Sequence, residues 1–271
     1  MSLLEKTLVL PSGIELSYTE HGDRNGPALI LLHGYTDSRR SFDPLTPHLP
    51  AWLRTIAFSL RGHGNSTKAP SAYRCSEHAT DIAQAMDALA IRSAVVAGHS
   101  MSSMIAQRLA LDLGGRVEGL ILLGAFRTLA GNPAVEALHD EVMKMGDRVD
   151  PDFVRAFQES TVHKPVGPSF MSTVIEESCK VPAFVWRAAL KAQLEESFTD
   201  ELPRIAAPSL VIWGDRDAFM PYEEQLALTA ALRRCELHVL PGAGHALHWE
   251  DPQTVAGLIA RFTQRIQAAA A

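Results

Sequence analysis

Ala97-Gly98-His99-Ser100-Met101-Ser102 closes one apolar run and opens a helical pattern with Met104, Ile105 and Leu109 on one face. A serine at such a strand-to-helix junction sits in a tight, strained turn that lifts its hydroxyl above the sheet. The N–H of the next residue points at the same spot from the helix N-terminus. The flanking residues must be small because strand and helix backbones approach closely there. In the full pattern G-x-S-x-G the last position is glycine, where this chain has Ser102. The plain alternative for Ser100 is a helix N-cap, but the strand–turn–helix context favours a nucleophile.

Outward from this junction, residues 28–32, 55–58, 94–97 and 120–123 are continuously apolar, as parallel strands covered on both faces are. Ile14, Leu16 and Tyr18 alternate with Glu15, Ser17 and Thr19, the period of a half-exposed strand. Between the runs, Ile82, Met86 and Leu89 share a helical face. The alternation predicts an α/β fold with a mostly parallel sheet and helices on both faces. It stops near residue 128. From there to residue 200 no strand is legible, and helix starts fall at Pro133 after Asn132, Pro151 after Asp150, Pro168 after Gly167, and Pro182; only Asn132 and Asp150 are good caps. Strands resume at 210–213 and 237–240, and a last helix carries Val255, Leu258, Ile259, Phe262 and Ile266. The expected organisation is a core of residues 1–127 and 201–271 interrupted by an all-helical cap of residues 128–200.

The 271 residues carry a net charge of −6 with no Lys/Arg run, which argues against nucleic acid as a partner. Cys75, Cys179 and Cys235 are odd in number and dispersed, a poor disulfide framework that points to a reducing, cytoplasmic compartment. The opening stretch 1–10 contains Glu5 and Lys6 and does not read as a signal peptide, and no apolar run approaches the ~20 residues that span a bilayer. The expectation is a soluble protein, monomer or homodimer, with no membrane partner. Zinc-like ligand spacings are absent, so neither a metal nor a cofactor is expected.

Further motifs lie just past the ends of predicted strands, where open α/β sheets place their sites. These are Leu31-Leu32-His33-Gly34-Tyr35, Arg61-Gly62-His63-Gly64, Trp213-Gly214-Asp215-Arg216-Asp217 and Gly242-Ala243-Gly244-His245. Serine, then acid, then histidine is a chain order that supports acyl transfer, with Ser100 attacking and His245 as general base. His248 lies three residues on, but the preceding Gly-Ala-Gly favours His245, leaving His248 behind the site or on the surface.

With these motifs in their order, the chain resembles the α/β-hydrolase superfamily, in its capped esterase- and lactonase-like branch. The resemblance implies an eight-stranded sheet. It implies Asp217 rather than Asp215 as the acid, and an oxyanion hole from the backbone N–H groups of Tyr35 and Met101. Ser59 departs from the pattern, since many relatives carry Asp before Arg-Gly-His-Gly. Expected substrate contacts are His33 (which is expected mainly to support the oxyanion turn), Arg127, Phe157, Trp186 and Phe219, with Arg127 and Arg187 the candidates for holding a substrate carboxylate. The implied reaction is hydrolysis of a carboxylic ester or lactone, acyl-homoserine lactones included, with an apolar acyl chain. C–C hydrolysis of vinylogous diketo acids and perhydrolysis are the runners-up, and a slow, receptor-like protein is the distant alternative.

Overall fold

A computed structural model describes residues 4–270; residues 1–3 of the opening stretch and Ala271 of the closing alanine run lie outside the described residues. Eight strands form one sheet, β1 (Lys6–Val9), β2 (Glu15–His21), β3 (Ala28–Leu32), β4 (Arg54–Phe58), β5 (Ala94–His99), β6 (Val117–Leu123), β7 (Ser209–Gly214) and β8 (Cys235–Leu240), in the spatial order β1-β2-β4-β3-β5-β6-β7-β8. The pairs β1–β2 and β2–β4 are antiparallel and every other pair is parallel. This is the sheet the resemblance implies.

The continuous apolar runs have a direct cause. In β3, Ile30 and Leu32 pack on one side with helices α1 (Cys75–Ala88) and α2 (Met101–Leu113). Leu29 and Leu31 pack on the other side with α9 (Pro252–Ala270), through Val255, Ile259 and Phe262. Successive strand side chains point to opposite faces, so a sheet covered twice demands apolar residues at every position.

β2 departs from the half-exposed strand expected of it. Ser17 and Thr19 are buried along with Leu16 and Tyr18. The backbone at this point ties β2 to the loop after β4: Ser17 N–H donates to Ser66 Oγ, and the Ser17 carbonyl accepts from Ser59 N–H.

Between β6 and β7 the chain runs through α3 (Pro133–Met143), α4 (Pro151–Ser160), α5 (Pro168–Cys179) and α6 (Ala183–Glu195). Asn132 Oδ1 accepts from the amides of Ala134 and Val135, and Asp150 Oδ1 accepts from Asp152, whereas neither Gly167 nor Pro182 supplies a side-chain cap. Thr128 and Ser197 pair as an isolated antiparallel bridge, closing the neck of the insertion. Two elements had no legible signal in the sequence: β1, and α7 (Tyr222–Ala231) between β7 and β8. The short α8 (Leu247–Glu250) precedes α9 as a separate turn. Among the described residues no helix is long and apolar enough to cross a membrane.

Candidate active site

Ser100 stands between β5 and α2 with φ +50° and ψ −115°, a left-handed conformation that costs a non-glycine residue roughly 1–3 kcal/mol. The turn is held by Ser100 N–H donating to the Leu123 carbonyl and Ser103 N–H donating to the Ser100 carbonyl. A Cβ on Gly98 would fall 2.1 Å from the Ser102 carbonyl oxygen, so glycine is required there. Serine fits at the other small position because the Ser102 hydroxyl donates to the His33 carbonyl, tying α2 to the end of β3. Ser100 makes no capping hydrogen bond, so the N-cap alternative fails.

The hydroxyl turns instead to a histidine: Ser100 Oγ is 2.8 Å from His245 Nε2, and His245 Nδ1 is 2.8 Å from Asp217 Oδ2. Asp217 has a fully buried side chain, and its Oδ1 accepts from the amides of Phe219 and Met220, which aims Oδ2 at the imidazole. A carboxylate can only accept, so Nδ1 carries the proton and Nε2 is left to accept from Ser100. Asp215 is occupied elsewhere, its Oδ1 accepting from Gly242 N–H at 2.6 Å in the turn after β8. His248 is fully buried rather than on the surface, 2.9 Å from Ser41 Oγ and away from Ser100.

Two backbone amides flank the nucleophile. Met101 is the first residue of α2, so its N–H has no partner within the helix. Tyr35 N–H bonds no other backbone group among the described residues. The Tyr35 hydroxyl donates to the Trp186 carbonyl at 2.6 Å, fastening the insertion to the loop after β3; burial pushes that phenol well above its usual range.

A cavity opens over Ser100 and His245, walled on the insertion side by Val135, Leu138, Phe157 and Leu190 and near β7 by Phe219. Phe157 and Phe219 thus line the cavity. Three of the expected contacts are corrected. His33 is fully buried and off the cavity; its Nε2 accepts from Leu60 N–H, so Nδ1 donates to the Gly34 carbonyl, which pins the turn that carries Tyr35. Trp186 is also fully buried and lies behind the lining, edge-on to Tyr35 and Phe157. Arg127 turns outward, with its amide and guanidinium both bound to Glu224 of α7. Arg187 likewise donates to the carbonyls of Met145 and Gly146.

The Arg-Gly-His-Gly loop is structural. Arg61 makes a bidentate pair with Asp81 of α1, both contacts at 2.6 Å, and His63 Nδ1 bonds the Arg61 carbonyl. Ser59 fills the departure from the family pattern by accepting from Arg39 N–H.

The sequence reading missed the polar residues that line the same cavity, Asp37, His99, Gln158, Thr161 and Gln193. Burial raises the Asp37 carboxyl to about 7, against hydrogen bonding from Gln158 and the nearby His245 that lower it. Burial drives His99 well below the usual histidine range, with His248 and His245 adding to the effect. The available signal was an acid on the His33-Gly34 loop, three residues past the glycine.

A model of the alpha/beta hydrolase family matches residues 29–258. The AB hydrolase superfamily protein YisY of Bacillus subtilis is 26% identical over 247 residues, covering 88% of this chain and 92% of that one. Among solved structures, an esterase from Exiguobacterium antarcticum superposes with TM-score 0.88 at 20% identity, over 96% of this chain and 100% of that one. A thermophilic esterase from Thermogutta terrifontis gives 0.84 at 24% identity, over 97% and 99%. At these identities the structural likeness is one of fold, and the family match sets the wider relation: the chain belongs to the alpha/beta hydrolase family.

Proposed function

We propose that this hydrolase cleaves carboxylic esters or lactones through an acyl-enzyme on Ser100. The observation that carries this reading is the aligned run from Ser100 Oγ to His245 to Asp217, with both contacts at 2.8 Å, on a serine held at positive φ.

In the proposed reaction Ser100 Oγ bonds to the acyl carbon as its proton passes to His245 Nε2. The imidazolium formed is stabilised by the Asp217 carboxylate, which stays ionised. The carbonyl oxygen takes the negative charge and is met by the amides of Met101 and Tyr35, each such donor being worth about 10²–10³ in turnover. The carbonyl re-forms as the C–O bond to the leaving alkoxide breaks and Nε2–H protonates it. Water then gives its proton to Nε2 and adds to the acyl carbon; the C–Oγ bond breaks as Nε2–H returns that proton to Ser100 Oγ, and the acid leaves with Ser100 restored. In a lactone the leaving alcohol remains on the acid.

The helical insertion acts in this reading as a cap, and its apolar lining favours a small substrate with an apolar body. C–C hydrolysis of a diketo acid is disfavoured by the arginines, since Arg127 and Arg187 are both committed away from the cavity. Perhydrolysis would use the same acyl-enzyme with peroxide in place of water.

The test is a substrate panel with the Ser100→Ala protein as control: aryl esters, acyl-homoserine lactones, a dienoic keto acid, and an aryl ester with added peroxide. Multiple turnover on esters or lactones, abolished in the variant, is the expected result. Turnover of the keto acid alone would overturn the reading, as would a single burst without turnover.

A further inference from the structure

Around Asp37 and His99 in the cavity lining, the inventory of donors and acceptors does not close. Asp37 is 3% exposed, and its nearest partner of ion-pairing type among the described residues is His99, with Nδ1 3.9 Å from Asp37 Oδ2. Both side chains line the cavity over Ser100. Gly34 allows them to face each other, since a Cβ there would lie 2.6 Å from His99 Nδ1 and 3.1 Å from Asp37 Oδ2.

His99 Nε2 is 3.1 Å from the His245 carbonyl, which can only accept, so Nε2 carries the proton. Burial keeps the ring neutral, so Nδ1 is a bare acceptor, and it has no partner among the described residues.

Gln158 can be oriented in the same way. The Ser178 hydroxyl donates to the Thr36 carbonyl, so Ser178 Oγ must accept from Gln158, 2.6 Å away. That makes the near atom Nε2, whose second proton reaches Asp37 Oδ1 at 3.2 Å. Gln158 Oε1 has no partner among the described residues. Asp37 and His99 from the core and Gln158 from α4 therefore bring acceptors to the same cavity, and among the described residues no lysine or arginine lines it. His99 Nδ1 and Gln158 Oε1 are buried acceptors without donors, which is costly, and Asp37, although it accepts from Gln158 and Ser41, is a buried carboxylate without a cation, which is more so. A proton relieves Asp37 when the cavity is empty, in keeping with its rise to about 7.

We propose that Asp37, His99 and Gln158 form a subsite for a primary ammonium group on the substrate. An ammonium has three N–H donors and the charge that a buried carboxylate lacks. This rests on the ester-hydrolase reading and narrows it: the scissile ester stands over Ser100, the apolar body lies against the cap, and an amine marks one end of the molecule.

β-Alanine methyl ester and methyl propanoate differ by that one ammonium. They are compared in a pH-stat at about pH 8, above the Asp37 value of about 7 and below the usual range of a primary amine. The ratio of their kcat/KM values should fall about tenfold or more on Asp37→Asn; intrinsic ester reactivity cancels between the two proteins. Calorimetry on the Ser100→Ala protein gives a second measure that leaves Asp37 in place. There n-pentylammonium should bind about tenfold or more tighter than n-pentanol, and adding Asp37→Asn should remove the difference. An unchanged kcat/KM ratio overturns the subsite, and so does pentanol binding as tightly as the ammonium. If neither ester turns over, the ester reading falls by itself, and the calorimetry still decides the subsite.

Discussion

The two walls of the cavity are built differently. The core wall is made of loops that leave β3, β5, β7 and β8, and its groups are fixed by multiple hydrogen bonds: Ser100 through its turn, His245 through Asp217, Asp217 through two amides. The cap wall is made of helices whose outer faces carry exposed apolar residues, Met143 at 46% and Phe184 at 37%. Its contact with the site is mostly dispersive, through Val135, Leu138, Phe157 and Leu190. Polar geometry tolerates little displacement, whereas apolar packing tolerates reshaping. The core wall should therefore set whether the reaction occurs, and the cap wall which substrate is taken.

The harshest test of the core wall is Ser100→Ala. Turnover should fall by something on the order of 10⁶, leaving what the amides and binding supply. The fold should be intact, and a fluorophosphonate probe should label the native protein once and the variant not at all. Labelling at another serine would remove the nucleophile from the core wall altogether.

Asp217→Asn comes next, at about 10⁴ in turnover, because the amide would favour the wrong imidazole tautomer. Asp215→Asn should cost about 1 kcal/mol of stability through its bond to Gly242 and leave turnover nearly unchanged. If Asp215→Asn were the more damaging to turnover, the division between acid and turn residue would be reversed.

The sequence showed the core wall far better than the cap wall, for physical reasons. Backbone geometry there demands particular residues, such as Gly98 against the Ser102 carbonyl and Gly214 against that of Ala243, so local motifs betray it. The choice of Asp217 over Asp215 and the place of Tyr35 came instead from the family resemblance. The cap wall depends on which helix faces meet, and that is fixed by long-range packing. Aromatic content alone could not tell Phe157, on the lining, from Trp186, one layer behind it. Arg127 was misread because its partner Glu224 lies on α7, a helix whose pattern is too weak to see in sequence. Asp37 was missed because an acid beside His-Gly reads as a turn residue until its burial is known.

Acid should damage the core wall before the cap. His33, His63, His78, His99 and His248 are buried in the core and held below the usual histidine range by burial, His63 at about 4 and His248 at about 3. In the cap, His139 is half-buried and His163 exposed. Above about pH 6.5 these buried rings are neutral both folded and unfolded. As pH falls below that, the unfolded chain binds protons that the folded one refuses, so stability declines down to the folded values. Asp37 opposes this between about 7 and its ordinary 3.8, since its folded form binds the proton first. One carboxyl against five histidines leaves a net loss of stability on acidification. Denaturant midpoints measured across pH should be flat above about 6.5 and fall below it. A flat profile down to about pH 4.5 would contradict the neutral histidine core.

The smallest effects belong to the cap wall and are graded rather than all-or-none. With a series of unbranched aryl esters, kcat/KM should rise from acetyl toward medium chain length. Each buried CH₂ adds up to about 0.8 kcal/mol, roughly fourfold, until the cavity is full. Leu138→Ala and Phe157→Ala should flatten that slope while leaving the acetyl ester least changed, because the shortest chain reaches least of the cap. Arg127→Ala should weaken the tie to Glu224 without changing the slope, and Arg187→Ala should do no more than free the carbonyls of Met145 and Gly146. An arginine that held a substrate carboxylate would behave differently, since its loss would strand a buried charge and collapse activity. Kinetics of each arginine variant on a neutral ester and on a dienoic keto acid separate the cases. A keto acid turned over well by the native protein and lost in either variant would mean that the cap recognises charge, and the contrast between the walls would fail.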